Sequence, residues 1–124
     1  MSNATIWTGR ILSALAGLFM LTSGVNLVLI RSADMVASFA KFGYPETAIA
    51  PIGWAAAISS ILYLIPRTSV LGAILLTGYL GGAVATHVRV SEAVFAAPAI
   101  LGVLIWLGLF LRDEQLRKLL PLRS

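Results

Sequence analysis

The chain has 124 residues, of which 59% are hydrophobic and only 11% are charged, so it has too little polar surface for a water-soluble domain of this size. The formal net charge is +4, but the basic residues stand singly at the ends of apolar runs or in the final tail. This placement is typical of membrane anchoring and excludes the basic stripe of a nucleic-acid-binding surface. Cysteine is absent, which excludes disulfides, thiolate metal sites and a dithiol relay within the chain.

Charged residues divide the sequence into four uncharged runs of 20, 20, 21 and 19 residues. A helix needs about 20 apolar residues to cross a hydrocarbon core of ~30 Å. The first run is longer than the about 7–15 apolar residues of a signal peptide, so we expect it to be retained. The pattern predicts an all-α membrane protein with a single domain over residues 1–124. Its four transmembrane helices are expected at about 8–30, 47–66, 68–88 and 93–111.

The links between the predicted spans indicate an antiparallel four-helix bundle. Residues 66–68 and 89–92 are short connections, and short connections make the helices that they join antiparallel neighbours. The tail at 112–124 has leucines among basic residues, so we expect it to lie on the anionic lipids of the inner leaflet. Membrane lipids are therefore the first predicted partner.

The longer first loop carries an amphipathic pattern of its own. In the segment RSADMVASFAKFGYPE, apolar residues that include Phe39 and Phe42 recur at helical spacing, and Gly43 and Pro45 then supply a stop. We predict a short helix over about 33–43 that lies on the membrane surface between the first two spans. A functional lid is the alternative interpretation.

The basic residues also predict an orientation, because six of them lie on one side of a four-span bundle and three on the other. The first group is Arg10, Arg67, Arg112, Arg117, Lys118 and Arg123, and the second is Arg31, Lys41 and Arg89. The positive-inside rule then places both termini in the cytoplasm. Trp7, Tyr63 and Trp106 fall near the cytoplasmic ends of their spans, where an interfacial aromatic belt is expected.

This orientation predicts the result of a labelling experiment. The chain has no cysteine of its own, so a single cysteine introduced at Ser38 is the only thiol that a membrane-impermeant reagent can modify. We expect modification from the outer side of the membrane, since the first loop lies there when both termini are cytoplasmic. Modification from the cytoplasmic side alone would contradict the orientation.

Small residues recur in the third span, where Gly78 and Gly82 form a GxxxG pair that Gly81 and Ala85 continue. A second small-residue strip follows the first span through Gly9, Ser13, Gly17, Met20 and Gly24. Inside lipid, helices associate through close backbone approach and van der Waals packing. We therefore predict that spans one and three touch at the centre of the bundle, or that the strips join two copies of the chain, and that Gly82→Leu weakens this contact. A ligand that needs access to the backbone is the alternative.

Several polar side chains lie within the spans, where each needs a hydrogen-bonding partner. The candidate ligand-binding residues are His87, Asn26, Thr22, Trp54 and Tyr79. All but the more central Tyr79 fall in the outer half of the bundle, and Pro98 interrupts the backbone hydrogen bonds of the fourth span at that depth. We predict an outer pocket that opens toward the outer face and is roofed by residues 39–44.

Each of these residues also has a purely structural interpretation. His87 could simply bind lipid headgroups or a backbone carbonyl, and Asn26 could join two helices without touching a ligand. A metal or haem ligand is disfavoured at His87, because the chain has no second histidine, no cysteine and no acid within the spans. No metal is predicted, and the cofactor stays unassigned.

The stretches YLIPRTSVLGAILLTGYLGGAVATHVR and WLGLFLRDEQLRKLLPLR resemble the DoxX-like family of small four-span bacterial membrane proteins. The similarity extends over most of the chain, and the third-span stretch is its most specific part. The resemblance implies a four-helix bundle in the inner (cytoplasmic) membrane. Some relatives in the wider DoxX group are membrane subunits of quinone-dependent or thiol-related oxidoreductase complexes, which implies a redox partner. The chain departs from the family at Ala56, where the second span usually carries a glutamate.

Three classes of function remain, and we favour the first, a membrane subunit that binds a quinone-like or lipid-like molecule for a redox system. The second is a small intramembrane enzyme in which His87, aided by Tyr79 or Asn26, isomerises an apolar substrate by acid–base catalysis. The third is a structural bundle that assembles other proteins. No acidic residue lies inside a predicted span, which disfavours proton-coupled efflux and a Ser–His–Asp triad. A co-purifying apolar molecule supports the first two classes, and turnover by the isolated chain separates them.

Overall fold

The computed structural model describes residues 2–30, 32–89 and 96–119, and all regular structure in these ranges is helical. The helices are α1 (Asn3–Leu29), α2 (Ala33–Lys41), α3 (Ile49–Leu64), α4 (Ser69–Arg89), α5 (Ala96–Arg112) and α6 (Glu114–Leu119). Short 3₁₀ turns at Glu46–Ala48 and Pro66–Thr68 lead into α3 and α4. The prediction of an all-α protein with a short helix between the first two spans is confirmed.

Three of the described helices are long and apolar enough to cross a membrane. They cover Asn3–Leu29, Glu46–Leu64 and Pro66–Val88, where the second and third include their leading turns. α5 is also apolar but has 17 residues. Three predicted parts of the chain lie outside the described residues, namely the start of the fourth span at 93–95, most of the 89–92 link and the tail beyond 119. The helices make the chain a multi-pass membrane protein.

The helices pack so that α1 and α4 lie diagonally across the bundle. α1 packs mainly along α3 and α5, and α4 packs along the same two helices. The small-residue strip of α1 is buried as a whole, as its pattern suggests. A Cβ atom built on Gly24 would lie 2.7 Å from the backbone oxygen of Gly53, and one built on Gly9 would lie 2.7 Å from that of Gly108. The α1 strip therefore lets α3 and α5 approach closely.

The predicted contact between spans one and three is wrong within a single chain. A Cβ atom built on Gly78, Gly81 or Gly82 would meet no heavy atom within 4 Å, and Ala85 is exposed. The buried face of α4 is instead formed by larger residues at helical spacing, namely Ala73, Leu76 and Leu80. Gly78 and Gly82 each follow a member of this face by two positions, so they point away from the residues that Ala73, Leu76 and Leu80 contact. A contact between two copies of the chain through these glycines stays a prediction.

A buried polar network joins four helices at the end of the bundle opposite α2. The hydroxyl of Tyr63 in α3 donates to the carbonyl of Ile105 in α5 at 2.7 Å and lies 3.1 Å from the Ser13 hydroxyl of α1. The guanidinium of Arg112 donates to Ser13 at 3.1 Å and to Ser69, at the start of α4, at 3.0 Å. Tyr63 is fully buried, so it is a core residue and not part of the expected interfacial belt.

Candidate functional site

A cavity of about 400 Å³ lies between α1, α3 and α4, directly beneath α2. We call it the α2 cavity. It is lined by Ser23, Leu27, Phe39, Phe42, Tyr44, Ile52, Gly78, Tyr79, Gly82, Ala83, Thr86 and His87. Its walls are mostly aromatic and aliphatic, with a small number of hydroxyl groups and one imidazole. This composition is typical of a small-molecule site.

The roof of the cavity is fixed by the way in which α2 ends. α2 stops at Lys41, two residues before the predicted end, because Gly43 adopts a left-handed φ of 88°. The Gly43 amide donates to the Ala40 carbonyl at 3.0 Å and the Tyr44 amide donates to the Phe39 carbonyl at 2.9 Å, which is the Schellman arrangement. The Phe39 and Tyr44 rings, 5.9 Å apart, provide the apolar contact that accompanies this arrangement.

Two contacts hold this roof against α4. The Tyr44 hydroxyl is hydrogen-bonded to the Thr86 hydroxyl at 3.0 Å. The ring of Phe42 packs against the imidazole of His87, with 4.7 Å between their centroids. The roof therefore lies over the end of α4 that carries His87, and Phe39, Phe42 and Tyr44 contribute to the lining of the cavity.

The hydrogen bonding of His87 fixes which of its ring nitrogens a ligand can reach. Nδ1 lies 2.7 Å from the carbonyl oxygen of Ala83, one turn earlier in α4. A carbonyl oxygen only accepts, so Nδ1 carries the hydrogen and donates it. In the neutral imidazole, Nε2 is then a hydrogen-bond acceptor. The chemical group that suits it is a hydroxyl.

Tyr79 is a second polar group of the cavity wall. Its ring is half-buried against the core of the bundle. Among the residues that the structure describes, its hydroxyl has no hydrogen-bonding partner, although buried tyrosine hydroxyls usually have one. A bound polar group would satisfy it.

The glycines of α4 divide between two surfaces of the helix. Gly78 and Gly82 line the α2 cavity, and the space that a side chain would fill is part of the cavity. Gly81 instead lines a groove of about 620 Å³ between α4 and α5, where the Trp106 indole donates to the Thr77 hydroxyl at 2.6 Å. We call this second surface the α4–α5 groove. The alternative interpretation of the glycines, access for a ligand, fits Gly78 and Gly82 better than helix packing does.

The structure brings together two of the five candidate ligand residues. His87 and Tyr79 both line the α2 cavity, whereas Thr22, Asn26 and Trp54 are not among its lining residues. Thr22 is exposed, Asn26 is half-buried, and Trp54 is 55% exposed on the outer surface of α3.

Ser23 takes the position on α1 that had been expected of Thr22 and Asn26. Successive helical residues point about 100° apart, so Ser23 lies beside the buried Met20, Gly24 and Leu27, whereas Thr22 points away from Gly24. The small-residue strip of the first span already contained this information. The strip marks the buried face of α1, and Ser23 lies at the edge of that face.

A third cavity, of about 600 Å³, lies between α1, α4 and α5. It shares Ser23, Tyr79 and His87 with the α2 cavity. We call it the α1–α5 cavity. The described residues contain no group of three or more His, Asp or Glu side chains that could hold a metal ion. At the junction of the two cavities, the imidazole of His87 and the hydroxyl groups of Ser23 and Tyr79 are available for hydrogen bonding.

Comparison with known proteins identifies one relationship. The model of the DoxX-like family matches residues 11–108, which include every residue that lines the α2 cavity. No curated protein and no solved structure matches the chain. Ala56, where the family glutamate was expected, is fully buried, and its Cβ lies 3.1 Å from a Cβ built on Gly24.

Proposed function

Because the chain belongs to the DoxX-like family, we propose that it is an auxiliary membrane subunit of a redox system that binds a hydroxyl-bearing apolar molecule, quinone-like or lipid-like, in the α2 cavity. In this proposal the protein spans the cytoplasmic membrane of a bacterium with both termini in the cytoplasm. The observation that carries the proposal is that one cavity is lined both by His87, whose Nε2 is a free acceptor in the neutral ring, and by Tyr79, whose hydroxyl has no partner among the described residues.

The size and lining of the α2 cavity support a ligand with a compact ring or headgroup. Cavities of about 300–1,000 Å³ are usual for small-molecule sites, and this one has about 400 Å³. Phe39, Phe42 and Tyr44 offer ring faces for stacking, while His87 and Tyr79 provide an acceptor and a donor. A reduced quinone or a lipid hydroxyl supplies the matching groups.

The redox part of the proposal concerns a partner protein. The chain contains no cysteine, so thiol chemistry would come from another subunit. The role of this chain would then be to bind the molecule, orient its hydroxyl group at His87 and keep it accessible within the membrane.

We expect His87→Leu to reduce the amount of bound molecule while the helical fold and the thermal midpoint remain those of the wild type. The leucine removes the acceptor, and a hydrogen bond of about 1–2 kcal/mol in a membrane corresponds to roughly tenfold in affinity. His87→Gln keeps a polar acceptor and should retain more of the ligand than His87→Leu. The measurement is mass spectrometry of gently purified protein, with lipid and quinone standards.

Equal ligand content in the wild type and His87→Leu would contradict the proposed site. An absorption spectrum of the same sample separates the two ligand sources, because chemical oxidation converts a bound hydroquinone to a quinone with a new absorption band, whereas a lipid gives none. Turnover of the bound molecule by the isolated chain would favour the intramembrane enzyme instead.

A further inference from the structure

The α1–α5 cavity begins where the α2 cavity ends. The residues common to both are Ser23, Tyr79 and His87, so two spaces of about 400 and 600 Å³ meet at the imidazole and the tyrosine ring. A molecule whose hydroxyl group binds at these shared residues lies beside both spaces.

The two spaces have different walls. The α2 cavity is partly covered by the roof, which the Tyr44–Thr86 hydrogen bond and the Phe42–His87 ring contact hold in place. Apart from the three shared residues, the α1–α5 cavity is lined by apolar side chains. Two of these, Phe19 on α1 and Ile100 on α5, are 63% and 59% exposed. They reach the outer surface of the bundle, which faces lipid in a membrane.

The gap between α1 and α5 is confined to one end of the bundle. At the opposite end the two helices approach closely, since a Cβ atom on Gly108 would lie 2.6 Å from the Ser13 hydroxyl and 2.9 Å from its amide nitrogen. Toward α2, among the described residues, the bulkier Phe19, Ile100 and Leu104 line the α1–α5 cavity. The opening therefore connects the depth of His87 with the bilayer sideways, between α1 and α5.

We propose that the two cavities are the head and tail compartments of one site for a single-chain amphiphile, which comes in laterally from the bilayer between α1 and α5. This inference rests on the proposed function and adds the ligand class and its route. The hydroxyl-bearing ring or headgroup lies beneath α2, its hydroxyl group binds at His87 and Tyr79, and the apolar chain runs past Leu101 and Leu104 to the lipid. The apolar chain of the ligand exchanges contacts with lipid for similar contacts with protein, so binding in the tail compartment adds little affinity. The compartment instead determines which molecules fit.

Photo-crosslinking in liposomes tests the location of each part of the molecule. Two probes share a hydroquinone head and a decyl chain, and the diazirine is on the ring in one and in the middle of the chain in the other. The ring-labelled probe is expected to attach to residues of the α2 cavity such as Phe39 and Ile52. The chain-labelled probe is expected to attach to Leu101 and Leu104. Excess unlabelled probe should suppress both reactions.

A matched pair of variants on α5 provides the control. Ala97 lines the α1–α5 cavity and Ala99 lines the α4–α5 groove, so Ala97→Phe fills the tail compartment and Ala99→Phe does not. The phenyl ring of Ala97→Phe would occupy space that the apolar chain needs. We therefore expect this variant to reduce crosslinking of the chain label at Leu101 and Leu104 about tenfold. The ring label should still react beneath α2, and Ala99→Phe should match the wild type with both probes.

The outcomes distinguish the two proposals. If the ring label reacts beneath α2 but the chain label reacts equally over the lipid-facing residues or in the α4–α5 groove, the tail compartment is refuted and the proposed function stands. If Ala97→Phe removes both labels together, the division into two compartments is refuted. If unlabelled probe fails to suppress the ring label in the wild type, the proposed function is refuted as well.

Discussion

Gly24→Leu is expected to lower the free energy of unfolding by about 3 kcal/mol, because overpacking between helices that touch cannot relax without separating them. A Cβ atom at Gly24 would lie 2.7 Å from the amide nitrogen of Ala57 and 2.7 Å from the carbonyl oxygen of Gly53. Both neighbours are backbone atoms of α3, so no side-chain rotation removes the clash. Loss of the α1–α3 contact affects the largest helix interface of the bundle.

Thermal unfolding in detergent, followed by circular dichroism, measures this effect. Gly81→Leu is the matched control, since the same substitution there meets no heavy atom within 4 Å of the new Cβ. It should leave the midpoint unchanged or raise it slightly, because leucine favours helix over glycine by up to about 1 kcal/mol. Equal destabilisation by both substitutions would show that the α1–α3 contact is not what holds the bundle together.

Tyr63→Ala is expected to cost about 3–5 kcal/mol, the range for emptying a large fully buried aromatic site. Tyr63 is 0% exposed, and its hydroxyl donates to the Ile105 carbonyl, so the alanine leaves both a cavity and unmatched polar groups near Ser13 and Arg112. Tyr63→Phe keeps the ring and removes only the hydroxyl, which should cost about 1–2 kcal/mol.

The same unfolding measurement separates the two contributions at Tyr63. The account requires the alanine variant to unfold at a clearly lower temperature than the phenylalanine variant, and the phenylalanine variant below the wild type. A phenylalanine variant as stable as the wild type would mean that the hydroxyl network adds nothing to the bundle.

The architecture could be predicted from the sequence because the bilayer imposes a simple length and polarity rule. Uncharged runs of about 20 residues gave the positions of α1, α3 and α4. The end of α2 was predicted to within two residues, since Gly43 takes a backbone conformation that other residues rarely adopt. These signals are local, so one sequence is enough to interpret them.

The neighbours of each residue could not be predicted in the same way. A GxxxG pair indicates that a helix has little side-chain volume on one side, but not whether another helix or a cavity lies there. Gly78 and Gly82 line a cavity. Tyr63 lies near the end of its span, as a belt residue does, yet α5 covers it and supplies its acceptor. His87 and Tyr79 were found because polar groups within lipid are conspicuous, whereas Ser23 resembles the small packing residues around it.

The occupancy of the α2 cavity is the most direct test of the account, and native mass spectrometry of gently released protein measures it. We expect the wild type and Gly81→Leu to carry one hydroxyl-bearing amphiphile per chain. Gly82→Leu should carry none, although its thermal midpoint should equal that of the wild type. The leucine at position 82 fills space within the α2 cavity, while the one at position 81 points into the α4–α5 groove. The same occupancy in all three proteins, or no bound molecule in the wild type, would contradict the central claim that this cavity is a ligand site.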